Sequence, residues 1–344
     1  MTVNLCKKKV LNVVLTLSNR NNSSRSACSC SDEQCFLYIN NQSLPPPPEE
    51  PLQSDCCGQG CNPCVFDIYE SDIAKWEKKC CRILNNEEDF LEDTTKNCRL
   101  AGIVLDQFTS LQIISIQKIT EKLITYRFKL PDNKPLNLNP GQHLLLAHKA
   151  NDFMLTRQYT PISSVDTVGY FDVFIKIYDN GKMSDQIRQW HVGDYAMWRG
   201  PYGDFQYLPN QCKKILMLAA GTGVAPMIQI IRYVINNEND DTLLHLILSV
   251  KYYDDIALKH DLDAFKQYWN VTVEYVLTCE KDTKKFKYGD KITLSKVDHQ
   301  FLEKVLFPPS QNSKVLICGT KSFEKDMIKY LKQFGFTEEN YFKF

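Results

Sequence analysis

Arg157-Gln-Tyr-Thr-Pro-Ile-Ser163 combines a permanent cation, hydroxyl side chains and an aromatic ring within seven residues. Pro161 lacks an amide hydrogen and has a restricted φ angle, so this run favours an extended segment and excludes a helix interior. On an extended strand Arg157 and Tyr159 share one face, whereas Thr160 points to the other. The planar guanidinium group suits phosphate oxygens. The run therefore predicts either a site for a phosphorylated, planar cofactor or an ordinary edge strand with a surface arginine.

Composition sets broad limits on the class of protein. The chain has 344 residues, enough for two or three domains, and a hydrophobic content of 43%, which is ordinary for a globular protein. Basic and acidic residues number 41 each, so net charge indicates neither nucleic acid nor an anionic membrane as the main partner. No apolar run approaches the ~20 residues of a membrane span, and no signal peptide is evident. We expect a soluble, cytoplasmic protein.

The N-terminal tail, residues 1–43, has a distinct composition. Its first 31 residues contain five basic residues, six serines and no acidic residue. This composition is compatible with a mitochondrial transit peptide and equally with a disordered tail. Mitochondrial targeting is therefore the alternative to a cytoplasmic location.

Cysteine is concentrated in the module that follows, residues 44–97. Eleven of the fourteen cysteines lie in the first 98 residues, and a stiff polyproline run, Pro45–Pro48, precedes the densest group. Four of them form a Cys-Cys-x3-Cys-x2-Cys pattern that could hold zinc or an iron–sulfur cluster as thiolates: Cys56, Cys57, Cys61 and Cys64. A reactive or disulfide-capable thiol group and inert cysteines are the alternatives. A helix with Ile73, Trp76 and Cys80 on one stripe is expected to follow.

Beyond an acidic linker, short β-rich runs predict a small antiparallel barrel over residues 105–208. Turn signals such as Asn139-Pro-Gly141 separate several of the runs, which span 111–116, 123–130, 142–147, 157–160, 170–178 and 194–199. One helix, from Met183 to Trp190, interrupts them, and Ser184 is its candidate N-cap.

From residue 214 to 344 the pattern changes to alternating strands and helices. The apolar run Ile215–Ala220 is followed by Gly221-Thr-Gly223 and by a helix that Pro226 opens. Further strands are predicted at 243–250, 271–277 and 314–318, and further helices at 258–268, 297–306 and 323–334. This alternation is typical of a parallel sheet covered by helices.

Two glycine turns precede helices and so provide candidate phosphate sites. In Gly221-Thr-Gly-Val-Ala-Pro226 the glycines permit close backbone approach to a pyrophosphate, although Pro226 replaces the third glycine of the dinucleotide-binding fingerprint. Gly181-Lys-Met-Ser184 repeats this arrangement inside the barrel. A tight turn and a simple cap are the respective alternatives. Together with Arg157, the two turns predict electron or hydride transfer between two cofactors.

The order and spacing of these motifs resemble the NADH-cytochrome b5 reductase family over roughly residues 108 to 344. The resemblance rests on the Arg157–Ser163 run, Val173-Phe-Ile-Lys-Ile-Tyr178, Gly181-Lys-Met-Ser184, Gly200-Pro-Tyr-Gly203, Gly221-Thr-Gly-Val-Ala-Pro-Met227 and Cys318-Gly319. It implies a ferredoxin-reductase-like fold, in which an antiparallel β-barrel FAD-binding domain precedes a Rossmann-like α/β NAD-binding domain with a parallel sheet. It also implies hydride transfer from NADH to FAD and single-electron transfer to a haem protein such as cytochrome b5.

The resemblance implies a role for each residue around FAD. Arg157 would hold the pyrophosphate, Tyr159 would pack beside the flavin, and Thr160 would hydrogen-bond near flavin N5. His143 matches a family histidine beside the flavin, but a satisfied core histidine explains it equally well. The phosphate site would be completed by Lys182, Met183 and Ser184, and the other candidate contacts are Gln158, Ile175, Lys176, Tyr178 and Gly181.

The resemblance implies a second set of roles around NADH. Thr222 would approach the flavin from the second domain, and Cys318 would lie by nicotinamide C4. Asp255 would repel the extra phosphate of NADPH, although Lys251 offers that phosphate a cation. The channel itself would be shaped by Gly221, Gly223, Pro226 and Gly319.

Two features depart from a simple family member. Prolines usually follow the Cys-Gly pair, but this chain reads Cys318-Gly-Thr-Lys-Ser-Phe323, so we expect a differently shaped and less rigid loop. The cysteine-rich module resembles an oxidoreductase-like N-terminal domain found on some relatives. The alternative function is therefore a metal-binding or partner-recruiting protein built on a reductase scaffold with weak turnover. In either case we expect a monomer.

Overall fold

The computed structural model describes residues 37–39, 42–44, 47–48, 50–51, 64–84, 103–105, 107–131, 134–150 and 153–344. The chain divides into an N-terminal unit and a larger unit that contains the described residues from 103 onward. No helix within these ranges combines the length and the apolar character needed to cross a bilayer. The tail, the acidic linker and three of the four candidate metal ligands lie outside the described residues: Cys56, Cys57 and Cys61.

The N-terminal unit contains a two-stranded hairpin and one long helix. Strand β1 (Leu37–Ile39) pairs antiparallel with β2 (Gln42–Leu44), and helix α1 (Val65–Leu84) contacts β2. Trp76 and Cys80 are buried, as expected for two residues four positions apart on one helix face. The predicted apolar stripe is therefore the face that α1 buries.

The barrel domain is a six-stranded antiparallel sheet with strand order β6-β5-β8-β3-β4-β7. Its strands are β3 (Thr109–Lys118), β4 (Leu123–Lys129), β5 (His143–Ala150), β6 (Phe153–Tyr159), β7 (Tyr170–Lys176) and β8 (Tyr195–Tyr202). The Arg157–Ser163 run joins the two ends of this sheet. Its first part pairs with β5, and beyond β6 the Ile162 amide donates to the Asp172 carbonyl on β7 at 2.7 Å. The Asp172 amide in turn donates to Ser163 Oγ at 3.2 Å.

Aromatic side chains fill the barrel. Trp198 on β8 is fully buried, and its ring lies 4.9 Å from Phe128 and 5.3 Å from Phe171 in edge-on geometry, measured between ring centroids. Tyr159, within the Arg157–Ser163 run, lies 6.1 Å from the same indole. Such pairs add about 0.5–1.5 kcal/mol each beyond the area they bury. The candidate site is therefore built on the barrel core.

Helix α2 (Lys182–Ile187) is shorter than predicted, and its cap differs. Gly181 is the N-cap, and Ser184 is the third helical residue, so the assignment of Ser184 as the N-cap was wrong. Its hydroxyl instead accepts the Tyr178 amide at 3.0 Å. The Tyr178 amide thus takes the hydroxyl oxygen that a capping serine would offer to the helix, and the sequence pattern did not indicate this contact.

The second domain is a six-stranded parallel sheet with strand order β12-β11-β10-β9-β13-β14. Its strands are β9 (Lys214–Ala220), β10 (Leu243–Val250), β11 (Val271–Leu277), β12 (Lys291–Thr293), β13 (Ser313–Cys318) and β14 (Tyr341–Lys343). Its helices are α3 (Val224–Ile235), α4 (Lys259–Phe265), α5 (His299–Val305) and α6 (Lys321–Gln333).

Both faces of this sheet are covered, which explains the unbroken apolar run in β9. Leu216 and Leu218 belong to the core under α5 and α6, whereas Met217 and Ala219 belong to the core under α3. The core under α3 also includes the barrel residues Leu123 and Phe174, so the two domains pack against each other through this core. The antiparallel barrel and the parallel sheet confirm the predicted fold class; the three-residue strands β12 and β14 were not predicted.

We predict that Trp198→Ala lowers the free energy of unfolding by ~3–5 kcal/mol, because it leaves a large cavity among three aromatic rings. Trp269→Ala is the matched control, since the Trp269 side chain is 74% exposed, and it should change stability by no more than about 0.5 kcal/mol. Urea denaturation followed by circular dichroism measures both. Equal losses in the two variants would contradict the assignment of Trp198 to the core.

Candidate cofactor-binding site

Strand β6 places Arg157 and Tyr159 on one sheet face, as predicted. Their cross-strand partners are Leu146 and Leu144, which are both fully buried. Arg157 is partly buried, and its Nη1 donates to the Thr156 carbonyl at 2.6 Å. No carboxylate among the described residues forms an ion pair with Arg157. A partly buried guanidinium without a counter-charge fits an anionic group on a ligand.

The start of helix α2 lies next to this strand. Helix α2 contacts β6, and Met183 shares the barrel core with Ile175 and Tyr159. Ser184 is buried and accepts the Tyr178 amide, but its own O–H remains a donor. The structure therefore brings the β6 candidates and the α2 candidates together. Lys176 and Tyr178, at and beyond the end of β7, are exposed.

His143, at the start of β5, is not a satisfied core histidine. Its Nε2 is buried without a hydrogen-bond partner among the described residues. Burial lowers the pKa of this imidazole to about 4, so the ring is neutral near pH 7. An orphaned, buried polar atom beside the barrel turn Asn139–Gln142 fits a polar group supplied by a ligand.

The glycine turn of the second domain and the Cys318-Gly319 pair are in direct contact. The turn Gly221–Gly223 forms one 3-10 turn and contacts β7 of the barrel. A Cβ atom on Gly223 would lie 2.3 Å from the Cys318 carbonyl oxygen, and one on Gly319 would lie 2.8 Å from Ala220 Cβ. Only glycine permits this approach. Thr222 is partly exposed, and helix α3 begins two residues before the buried Pro226.

The Cys318 thiol is partly buried at the end of β13. Burial, with the nearby Glu324 carboxylate, raises its pKa to about 12. The Lys343 ammonium group acts on this pKa in the opposite direction. The side chain is therefore a neutral thiol near pH 7 and not a nucleophile.

Hydrogen bonds hold the loop in which Thr320 and Lys321 replace the usual prolines. Thr320 is the N-cap of α6 and accepts the Phe323 amide at 3.4 Å. Glu324 is buried, and its Oε1 accepts the Gly319 amide at 3.1 Å. These contacts constrain the loop by side chains instead of prolyl rings; its lower rigidity stays a prediction.

Asp255 lies in the turn that follows β10. Its Oδ2 accepts the Tyr252 amide at 3.3 Å, and Lys251 is exposed nearby in the chain. The turn is anchored by Tyr253, whose hydroxyl donates to Asp290 at 2.6 Å. Asp290 also accepts from Lys259 and Lys266 at 2.8 and 2.6 Å. Burial opposes ionisation of Asp290, but these bonds lower its pKa to about 2.

Sequence reasoning missed three polar residues near these sites: Gln229 and Glu324, which are buried, and Arg232, which is partly buried. Gln229 and Glu324 are 2% and 8% exposed, and all three bond to backbone atoms of the candidate segments. Gln229 and Arg232 are polar residues inside the otherwise apolar helix Val224–Ile235. That interruption was the available signal, because polar groups on a buried helix face need partners.

Of the four candidate metal ligands, Cys64 is the one that lies within the described residues, and it immediately precedes α1. Its amide donates to Asp67 Oδ2 at 2.7 Å. Among the described residues, no group of three or more potential metal ligands is present.

Three protein-family models match the chain. They are described as "Oxidoreductase-like protein, N-terminal" at residues 39–84, "Oxidoreductase FAD-binding domain" at 110–207 and "Oxidoreductase NAD-binding domain" at 217–329. Together they cover all three parts of the molecule that carry candidate sites.

Similar proteins and structures have related names. A Homo sapiens protein named "NADH-cytochrome b5 reductase-like" is 38% identical over 86% of this chain and 94% of its own length. The Dictyostelium discoideum protein "NADH-cytochrome b5 reductase 1" is 37% identical over 64% of this chain and 75% of its own. The crystal structure of the cytochrome b5 reductase domain of Ulva prolifera nitrate reductase superposes with a TM-score of 0.64 at 26% identity, covering 71% of this chain and 100% of that domain.

We predict that Cys318 resists alkylation by iodoacetamide up to about pH 10, because its raised pKa keeps the thiol protonated. At pH 9 a group with a pKa near 12 is ionised to only about 0.1%. Cys279 in the same domain is exposed and serves as the comparison thiol. Mass mapping of the alkylated protein across pH 7–11 measures both. Modification of Cys318 as fast as Cys279 at pH 8 would contradict this prediction.

Proposed function

Because the chain belongs to the NADH-cytochrome b5 reductase family, we propose that it is an FAD-dependent NADH oxidoreductase that passes electrons singly to a haem acceptor such as cytochrome b5. The observation that carries the proposal is the contact of the glycine turn with both Cys318-Gly319 and barrel strand β7. This contact puts the candidate coenzyme segment next to the candidate flavin segment. The proposed division of labour follows the predicted domains, 105–208 for FAD and 214–344 for NADH.

The residues on the flavin side bind FAD and orient its ring system. Bound FAD would accept a hydride and release electrons one at a time. Arg157 and the start of α2 hold its pyrophosphate, with Ser184 donating its O–H. Tyr159 packs beside the ring system, and Thr160 hydrogen-bonds near N5. The remaining proposed contacts are Gln158, Ile175, Lys176, Tyr178, Gly181, Lys182 and Met183.

The residues on the coenzyme side leave room for NADH and exclude water from its site. Gly221 and Gly223 carry no side chains, so the turn leaves space for the coenzyme. Pro226 shapes the coenzyme channel behind the turn. Thr222 approaches the flavin, while Cys318 presents a neutral thiol beside the nicotinamide and Gly319 lines the same surface. Asp255 favours NADH, and Lys251 weakens that preference.

For the N-terminal module we propose a zinc ion or an iron–sulfur cluster held by Cys56, Cys57, Cys61 and Cys64, which the cysteine spacing supports. The module then either relays electrons or recruits a partner to a reductase body with weak turnover. We also propose that the chain acts as a monomer, in the cytoplasm or, if the basic N-terminus is a targeting signal, in mitochondria.

Metal analysis of purified full-length protein tests this module. We expect about one bound zinc ion, or cluster iron with matching acid-labile sulfide, per chain. Conversion of Cys61 and Cys64 to serine should remove it, while Cys279→Ser should not. Protein without stoichiometric metal would rule out both the ion and a cluster relay.

Arg157→Ala is predicted to weaken FAD binding while sparing the fold. A hydrogen bond to a charged group contributes about 1.5–3 kcal/mol, so the FAD dissociation constant should rise roughly 10- to 150-fold. Arg127→Ala is the control, because Arg127 on β4 pairs with Asp172 at 2.7 Å and is not a proposed ligand. Flavin fluorescence titration measures both variants.

Anaerobic titration of the wild-type protein with NADH tests the proposed function itself. The yellow flavin absorption should bleach with about one equivalent of NADH, and oxidised cytochrome b5 should restore it. A correctly folded, colourless protein that does not take up FAD would refute the proposal. Normal cofactor binding with negligible turnover against any acceptor would favour the partner-recruiting alternative.

A further inference from the structure

The Gln229 side chain joins the second domain to the barrel through two hydrogen bonds. It lies on α3, six residues beyond Gly223, and is 2% exposed. Its Oε1 accepts the Gly141 amide at 2.8 Å, and its Nε2 donates to the Pro161 carbonyl at 2.8 Å. One buried amide thus satisfies a donor and an acceptor from two separate barrel segments.

Both barrel segments lead directly into candidate flavin contacts. Pro161 follows Thr160 immediately, and Gly141 precedes His143 by two residues. The turn at Gly141 is tightly packed, since a Cβ atom there would lie 2.7 Å from the Phe205 ring and 2.9 Å from the Phe344 ring. A displacement of Gln229 would therefore move both flavin-side segments, because each is joined to Gln229 by one hydrogen bond and lies within two residues of a candidate flavin contact.

Arg232, one turn further along α3, extends the same contact. Its guanidinium donates to the Ile162 carbonyl and pairs with Asp261 at 2.9 Å. Helix α3 therefore holds two successive carbonyls of the barrel, and the Ile162 amide continues to β7 through Asp172. The other end of α3 begins at Val224, directly after the glycine turn.

We propose that Gln229 is a positioning residue that couples the coenzyme turn to the flavin-side segments at Gly141 and Pro161. The inference rests on the proposed function. An apolar side chain of similar size would fill the same space, but it would leave the Gly141 amide and the Pro161 carbonyl without partners. Small errors in the placement of reacting groups cost large factors in rate, so the expected effect is on flavin environment and flavin reduction.

The first variant is Gln229→Leu, with Asn270→Leu as the matched control. Asn270 is also a buried amide, and its Nδ2 donates to the Thr242 carbonyl within the second domain at 3.2 Å. We expect both variants to lose thermal stability, but only Gln229→Leu to shift the visible flavin absorption bands. It should also slow anaerobic flavin reduction by NADH about 10-fold or more.

The second variant, Gln229→Glu, tests the hydrogen bonds within one molecule. A protonated glutamic acid can accept from Gly141 and donate to Pro161, whereas the carboxylate has no donor for the Pro161 carbonyl. Charged or titratable groups near this position include Arg232, its partner Asp261, and Asp166, which lines the same 240 Å³ cavity as Gln229 and Arg232. His143 follows Gly141 by two residues, and its pKa of about 4 sets the lower limit of the pH series. The wild-type flavin spectrum should therefore be recovered at low pH and lost as pH rises.

The outcomes separate the inference from the function on which it rests. If wild-type protein does not bind FAD, or NADH does not reduce it, the proposed function fails and this inference fails with it. If the wild type behaves as proposed but Gln229→Leu matches Asn270→Leu in spectrum and reduction rate, Gln229 is only structural. Should Gln229→Leu not fold, the pH series on Gln229→Glu decides, and a pH-independent spectrum would overturn the inference.

Discussion

Just beyond the end of β6, the amide of Ile162 donates to the carbonyl of Asp172 on β7, and together with the bond from the Asp172 amide to Ser163 Oγ it joins the two ends of the barrel sheet. Antiparallel sheets leave unpaired edges unless something joins them. Here the joining segment is the one that carries Arg157 and Tyr159. The ladder with β5 ends at Tyr159, and Pro161, two residues further on, suits its position because it donates no hydrogen bond of its own. The proposed cofactor contacts and the barrel closure therefore fall within the same seven residues.

A second constraint is the close approach of Gly223 to Cys318 in the proposed coenzyme site. Adjacent parallel strands β9 and β13 end at the same edge of the sheet, which brings the residues after Ala220 and Cys318 together. No room exists for side chains on Gly223 or Gly319. The glycine turn is therefore close enough to the barrel to contact β7. Gln229 and Arg232 on helix α3 form hydrogen bonds with barrel residues.

Charge and burial divide the two sides of the site. Arg157 is a partly buried cation, His143 a neutral imidazole with an orphaned nitrogen, and Cys318 a neutral thiol. A cation for the phosphates and uncharged groups for the rings suit a cofactor whose phosphates and rings need different surroundings. In the Cys318 loop, the Thr320 cap and the buried Glu324 restrict the backbone where the resemblance leads us to expect prolines, and the lower rigidity of the loop stays a prediction.

The sequence by itself determined the order of the longer strands and helices, the barrel and parallel-sheet classes, and the motifs at Arg157, Gly181, Gly221 and Cys318, because periodicity and turn residues are local signals. The tertiary structure alone decided what Ser184 bonds to, that His143 Nε2 has no hydrogen-bond partner among the described residues, and that Gln229, Arg232 and Glu324 reach the candidate segments. It also decided the pairing of the short strand β14 with β13. The partners of Gln229 and Arg232 and the pairing of β14 lie far apart in the chain, whereas Ser184 and Glu324 bond to backbone groups only six and five residues away. In both cases the folded backbone sets the partner, and residue spacing alone does not specify it.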